Sequence, residues 1–156
     1  MYLTKDAALA LAFPKGVAVE RQTAFLTDAQ IAEARTRAGA GIEVASALVV
    51  RYVGRSADGK VVGTAYFDTH RVRTLDETLM IVVGADGRVA RVEVLACGEP
   101  PEYLPKPGWL SQFHGRALDP ELSVKRGIRG ITGATLSSQA ATDAVRRVLA
   151  IHAVLG

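Results

Sequence analysis

An α+β fold is predicted for this chain by three observations: two β-rich segments that each fold back at an Asp-Gly turn, a long amphipathic segment at the C-terminus, and short capped segments before residue 40. The first β-rich segment covers 47–53 and 60–68 around Ala57-Asp58-Gly59, and the second covers 78–83 and 88–95 around Ala85-Asp86-Gly87. β-branched and aromatic runs joined through Asp-Gly are a hairpin signal. Two successive hairpins make an antiparallel sheet of about four strands, and the alternation Arg91-Val92-Glu93-Val94 gives it one wet face.

The helices follow from caps and periodicity. Thr4 caps a short helix over 5–13 that Pro14 ends, because proline disfavours the α region for the residue before it. Thr27-Asp28-Ala29-Gln30 is a capping box, with Leu26 and Ile31 as a hydrophobic staple, and opens a helix over 28–38 that stops at Gly39. Over 134–154, Ala141, Ala144, Val145, Val148, His152 and Leu155 form one stripe that packs on the sheet, while Asp143, Arg146 and Arg147 face away. The proline-rich stretch 98–108 is a loop, followed by a helix-like piece at 109–113. The expected organisation is one domain over 1–156: a helical part at 1–40, two hairpins at 47–95, loops at 98–133 and the long helix at 134–154.

Composition narrows the function. The 156 residues are 49% hydrophobic and 22% charged, a globular profile for a chain with a sizeable core. The net charge of +3 comes from scattered arginines, not a basic stripe with interleaved aromatics, which argues against nucleic acid. No segment reaches the roughly 18 apolar residues of a membrane span. The apolar run 7–13 is short and lacks a small-residue cleavage site, so it makes a poor signal peptide. Cys97 is the only cysteine, which excludes an intrachain disulfide. His70, His114 and His152 lack metal-ligand spacing. Asp68-Thr69-His70 does not indicate a hydrolase, since no Gly-x-Ser-x-Gly elbow is present.

The stretch Gly127-Ile128-Arg129-Gly130-Ile131-Thr132-Gly133-Ala134-Thr135-Leu136-Ser137-Ser138 feeds the last helix. The first N–H groups of a helix lack intrahelical partners and carry the positive end of its dipole. Gly130 and Gly133 allow close approach of a ligand, and Thr132, Thr135, Ser137 and Ser138 add hydroxyls. The constellation reads as a phosphate seat. A nucleotide P-loop is excluded because no lysine follows the glycines, and a dinucleotide Gly-x-Gly-x-x-Gly is absent.

The string Thr132-Gly133-Ala134-Thr135, followed by Leu136-Ser137-Ser138, resembles the flavinylation signature of the FMN-binding domain family. That family includes the C subunit of sodium-pumping NADH:quinone reductase, the G subunit of the Rnf complex and stand-alone exported relatives. The resemblance implies FMN joined through its phosphate to the hydroxyl of Thr135, attachment by a separate flavin transferase that cleaves FAD, and a place outside the cytoplasm. It implies an electron carrier working between a membrane-associated donor and an acceptor that the sequence does not name. One position departs from the family pattern: the aspartate three residues before the first Ser/Thr is here Arg129, which can instead pair with a phosphate beside Lys125 and Arg126. Glu99, Tyr103, Trp109 and Phe113 resemble the family's Glu-Pro...Tyr...Trp...Phe-x-Gly arrangement. Trp109, Phe113 and Tyr103 are candidates to flank the flavin ring, Glu99 to accept from its edge, and His70, beside Thr69 in a polar turn, to lie near it. The alternatives are a module holding FMN noncovalently and a redox-inert sensory or interaction domain of the same fold.

Overall fold

The computed structural model describes residues 2–98, 100, 102 and 104–156. The order along the chain is α1 (Lys5–Ala12), β1 (Ala18–Phe25), α2 (Asp28–Ala38), β2 (Leu48–Arg55), β3 (Val61–Val72), β4 (Leu75–Gly84), β5 (Val89–Cys97), α3 (Pro107–Leu110), a 3-10 turn (Ser111–Phe113) and α4 (Thr135–Leu155). The five strands form one antiparallel sheet in the order β1-β2-β3-β4-β5. The α+β class, the two hairpins and the C-terminal helix are those expected from the sequence.

The sheet has one strand more than the sequence indicated. β1 lies within the segment assigned to helices, and its residues Glu20, Arg21 and Gln22 obscure the alternation that marks a strand. As an edge strand it is largely exposed, so its stability comes from pairing with β2 and not from a buried face. β3 also runs further than expected, so His70 stands on a strand, paired with Glu77 of β4, and not in a turn. The reversal between β3 and β4 uses Arg73 at φ 59°.

Two apolar layers sandwich the sheet. On one face Leu79, Ile81, Val83, Val92 and Val94 pack with Ala141, Ala144, Val145 and Val148 of α4 and with Ala34 and Ala38 of α2. On the other face Ala8 and Phe13 meet Ala65, Met80, Val82 and Leu95. The caps behave as the sequence requires: Thr4 Oγ1 accepts from the Ala7 N–H at 3.1 Å, and Thr27 and Gln30 satisfy each other's backbone N–H at 3.1 and 2.9 Å.

Arg146 and Arg147 do not face away from the core as expected. Arg146 donates to the carbonyls of Ala38, Asp119 and Leu122 at 2.6, 2.8 and 2.9 Å, tying the end of α2 and the loop at 119–122 to α4. Arg147 reaches β3, where it pairs with Asp68. A guanidinium on a long stem satisfies buried carbonyls and carboxylates that a periodicity wheel does not see.

Phe13 seals the second layer against two glycines. A Cβ on Gly54 would lie 2.5 Å from the Phe13 ring, a distance that requires something to move. Gly54→Ala is therefore expected to destabilise the protein by about 1–3 kcal/mol through overpacking. Urea unfolding should show this as a lowered midpoint with an unchanged slope.

Candidate functional site

The site is built where the loop at 127–134 meets α4. Gly127 is required by packing, since a Cβ there would come within 2.5 Å of the Glu121 carbonyl oxygen. The loop then runs past α3: the Arg129 N–H donates to Gln112 Oε1 at 2.8 Å, and the Arg129 carbonyl accepts from the Trp109 indole N–H. The Arg129 backbone is thus fixed while the residue itself is exposed. Trp109 meets Phe113 edge to face with centroids 5.3 Å apart, and Phe113 is fully buried, so Phe113 is core.

Next, Gly133 takes φ +76° and Ala134 becomes the N-cap of α4. Ser138 holds this turn from within: its hydroxyl accepts from the Ile131 N–H at 2.7 Å and donates to the Ala134 carbonyl at 3.0 Å. Ser137 and Ser138 are buried, as is Ala134, whereas Thr132, Gly133, Thr135 and Leu136 are exposed. Of the hydroxyls read as a phosphate seat, those of Thr132 and Thr135 therefore face outward and Ser138 is structural.

Thr135 is the first residue of a helix of 21 residues. α1 and α2 each begin with a threonine that accepts a first-turn N–H, but Ala134 gives α4 no side-chain cap. The N–H groups of that first turn point out of the helix end with its positive dipole. No acidic residue occurs between 127 and 138, and a Cβ on Gly133 would meet nothing within 4 Å. These features fit a phosphate ester at Thr135: an outward hydroxyl, uncapped donors, open space and no competing carboxylate.

Beside this helix end a cleft of about 260 Å³ separates the β3–β4 hairpin from the first turns of α4. Leu136, Gln139 and Asp143 line one wall, and His70, Arg71 and Arg73 line the other. Leu136 presents an exposed apolar side chain to it, 54% accessible.

His70 is brought to that cleft, but as part of a buried ionic chain. Its Nδ1 lies 3.0 Å from Asp68 Oδ2 and its Nε2 lies 2.7 Å from Glu77 Oε1. Asp68 receives two bonds from Arg147, at 3.1 and 2.9 Å. Burial opposes a charge on His70, but the hydrogen bonds and charges of Asp68 and Glu77 outweigh it and lift the imidazolium pKa to about 9. Burial works against the Asp68 carboxylate too, yet His70 and Arg147 hold its pKa below the usual value. Neither Glu77 as a partner of His70 nor Arg147 as a partner of Asp68 was legible from the sequence. The available signal was Asp68 and His70 two apart on one strand face, with Glu77 opposite across the turn.

Glu99 and Tyr103 lie outside the described residues. Trp109 and Arg129 are adjacent, as are Thr132 to Ser138, while His70 stands on the opposite wall of the cleft beside Leu136. Among the described residues, no group of three or more His, Cys, Asp or Glu side chains is arranged to hold a metal, and no helix is long and apolar enough to cross a membrane.

The chain is thus an α+β domain whose long C-terminal helix starts at an exposed threonine with no side-chain cap. The FMN-binding domain model matches residues 75–150, just under half of the chain, and that segment is similar to the FMN-binding domain family. The match spans β4 to most of α4 and so includes Thr135. The crystal structure of Shewanella oneidensis NqrC is similar in fold, with a TM-score of 0.61 at 17% identity over 98% of this chain and 89% of that one. No curated protein matches the chain.

The His70 chain generates a pH dependence. A cation whose pKa is raised on folding adds stability that is fully present below its unfolded value near 6.5 and is lost as pH rises through about 9. Stability should therefore fall on the order of 2 kcal/mol between pH 6.5 and 9.5. His70→Gln should flatten that fall in denaturation series run across the range.

Proposed function

We infer that this protein is an electron-transfer flavoprotein that carries FMN covalently through a phosphoester on Thr135 and works outside the cytoplasm. The observation that carries the reading is the exposed Thr135 at the uncapped start of α4, within the segment matched by the FMN-binding domain model. FMN supplies the one- and two-electron chemistry, and the polypeptide supplies attachment, placement and electrostatics. The hydroxyl of Thr135 bears the ester. The first-turn N–H groups solvate the single negative charge of the phosphodiester, and Ser138 keeps the preceding loop in shape.

A threonine hydroxyl is a weak nucleophile without an adjacent base, and the stretch 127–138 offers no His, Asp or Glu to serve as one. Attachment is therefore the work of a separate flavin transferase using FAD. The electron donor is membrane-associated and the acceptor is a further redox partner; both come from the resemblance to flavinylated subunits. The second reading, noncovalent FMN, is favoured by one specific observation: Arg129 stands exposed beside the phosphate seat where the family pattern has aspartate.

Coexpression with a flavin transferase should give denatured protein whose intact mass is raised by one FMN. Thr135→Ala should lose the entire increment while leaving the thermal midpoint within a few degrees of the parent, because residue 135 is exposed. A variant that kept the increment would overturn the assignment of the attachment residue.

Arg129 allows a separate check. If the transferase reads the acidic residue of the family pattern, Arg129→Asp should raise the fraction of chains loaded under limiting transferase, measured by the ratio of loaded to unloaded mass. The backbone contacts of residue 129 with Gln112 and Trp109 do not depend on its side chain, so the fold should be unchanged.

A further inference from the structure

The two edges of the sheet are finished differently. Along β5 neighbouring chain takes up backbone groups at both ends: the Tyr2 and Leu3 N–H groups donate to the Leu95 carbonyl at 2.7 and 3.2 Å, the Val89 N–H donates to the Arg116 carbonyl at 3.0 Å, and the Gly115 N–H donates to the Val89 carbonyl at 2.7 Å. β1, at the other edge, pairs with β2 along its whole length without a bulge, and among the described residues no segment besides β2 is hydrogen-bonded to its backbone. Folded proteins blunt an open edge with proline, lysine or a bulge, and β1 has none of them. Two large apolar side chains also stand exposed on it, Val19 at 43% and Phe25 at 73%. They pair with Gly54 and Leu48, so both point to the sheet side where the Phe13 ring covers Gly54.

We propose that β1 is the pairing edge of a two-fold dimer, in which the β1 strands of two copies run antiparallel about Gln22 and join the two sheets into one. The inference does not rest on the flavin reading. Opposed residues of an antiparallel pair point to the same side of the sheet, and a two-fold axis between identical strands relates like sides, so a symmetric register must centre on a residue that meets its own copy. Centred on Glu20 or on Arg21, the pair sets like charges directly against each other, which is destabilising. Centred on Thr23, the overlap shrinks to 21–25 and Phe25 meets Arg21.

Centred on Gln22, the pair covers 19–25, Arg21 meets Thr23, Glu20 meets the small Ala24, and Val19 meets Phe25 twice. The exposed apolar residues of the strand are thus the ones that this register brings together. On that side of the sheet an apolar row crosses the junction from Leu48, itself 49% exposed, to Phe25 and on to Val19 of the second copy, beside the Gly54 that the second copy's Phe13 covers. On the other side Gln22 accepts from Arg51 Nε at 3.2 Å and donates to Glu20 Oε1 at 2.6 Å, so the centre carries a neutral amide that bridges both charges within its own copy. A second copy fits better than an unrelated strand because the same residues supply both halves of every pair. None of residues 18–25 lines the cleft beside Leu136, so the dimer forms with or without a loaded cofactor.

The test is sedimentation velocity on the full unloaded chain from about 5 to 200 μM, the range in which a small interface associates. The weight-average mass of the wild type should climb from 16.5 kDa toward twice that value. Val19→Lys and Phe25→Glu should each weaken the dimer about tenfold, since every contact occurs twice, and the double variant, whose two new charges meet across the junction, should recover to within about threefold of the wild type. Both positions are exposed, and far-ultraviolet circular dichroism should show the fold unchanged in all three. A wild type that stays monomeric over the whole range overturns the proposal whatever the variants do. So does a dimer that Phe25→Glu leaves as tight as before, or a double variant no tighter than the weaker single one.

Discussion

Burial of one face of α4 against the sheet is the constraint on which the rest depends. Ala141, Ala144, Val145 and Val148 are almost wholly removed from water, and side chains of that size let the helix sit close to β3 and β4. The apolar stripe alone would permit sliding along the axis. Polar contacts remove that freedom: Arg147 on Asp68, Arg146 on the end of α2 and on the loop at 119–122, and Gln30 on the Val154 carbonyl at 3.2 Å. With the helix pinned along its length, its first residue becomes a fixed point. An outward threonine there is presented in one orientation relative to the hairpin.

That arrangement separates structure from chemistry within a few residues. Ser138 closes the turn inward and Ala134 is buried, while Thr132, Gly133 and Thr135 are left in the open. An alanine at the N-cap forgoes the roughly 0.5–2 kcal/mol that a threonine or serine contributes there. The loss is consistent with a helix end kept available for an anion, because a capping hydroxyl would occupy the same N–H groups that a phosphate needs. The ionic chain across the cleft adds a second buried polar cluster on the sheet face that α4 covers.

Much of this was legible in the sequence where local rules act without competition. The capping box at Thr27, the Asp-Gly turns and the period of α4 each act within a few residues, and the structure shows all three. The Thr132–Ser138 string placed the helix start and its hydroxyls together. β1 was not legible because an exposed edge strand carries no alternation, and its existence is decided by pairing with β2. Arg146 and Arg147 were misplaced because helical periodicity records which way a Cα points and ignores how far a guanidinium reaches. Glu77 was invisible for a related reason: its partner depends on strand register across the β3–β4 turn, which hydrophobic pattern alone did not define.

The central claim is that a phosphate joins flavin to the start of α4, and ³¹P NMR of the denatured, dialysed, flavin-loaded protein tests it directly. A phosphodiester has no ionisation near neutrality, whereas a phosphomonoester changes charge with a second pKa of about 6. The account predicts one protein-borne phosphorus resonance whose position does not move between pH 5 and 8. A resonance that titrates across that range, or one that leaves with the small molecules on dialysis, would contradict it.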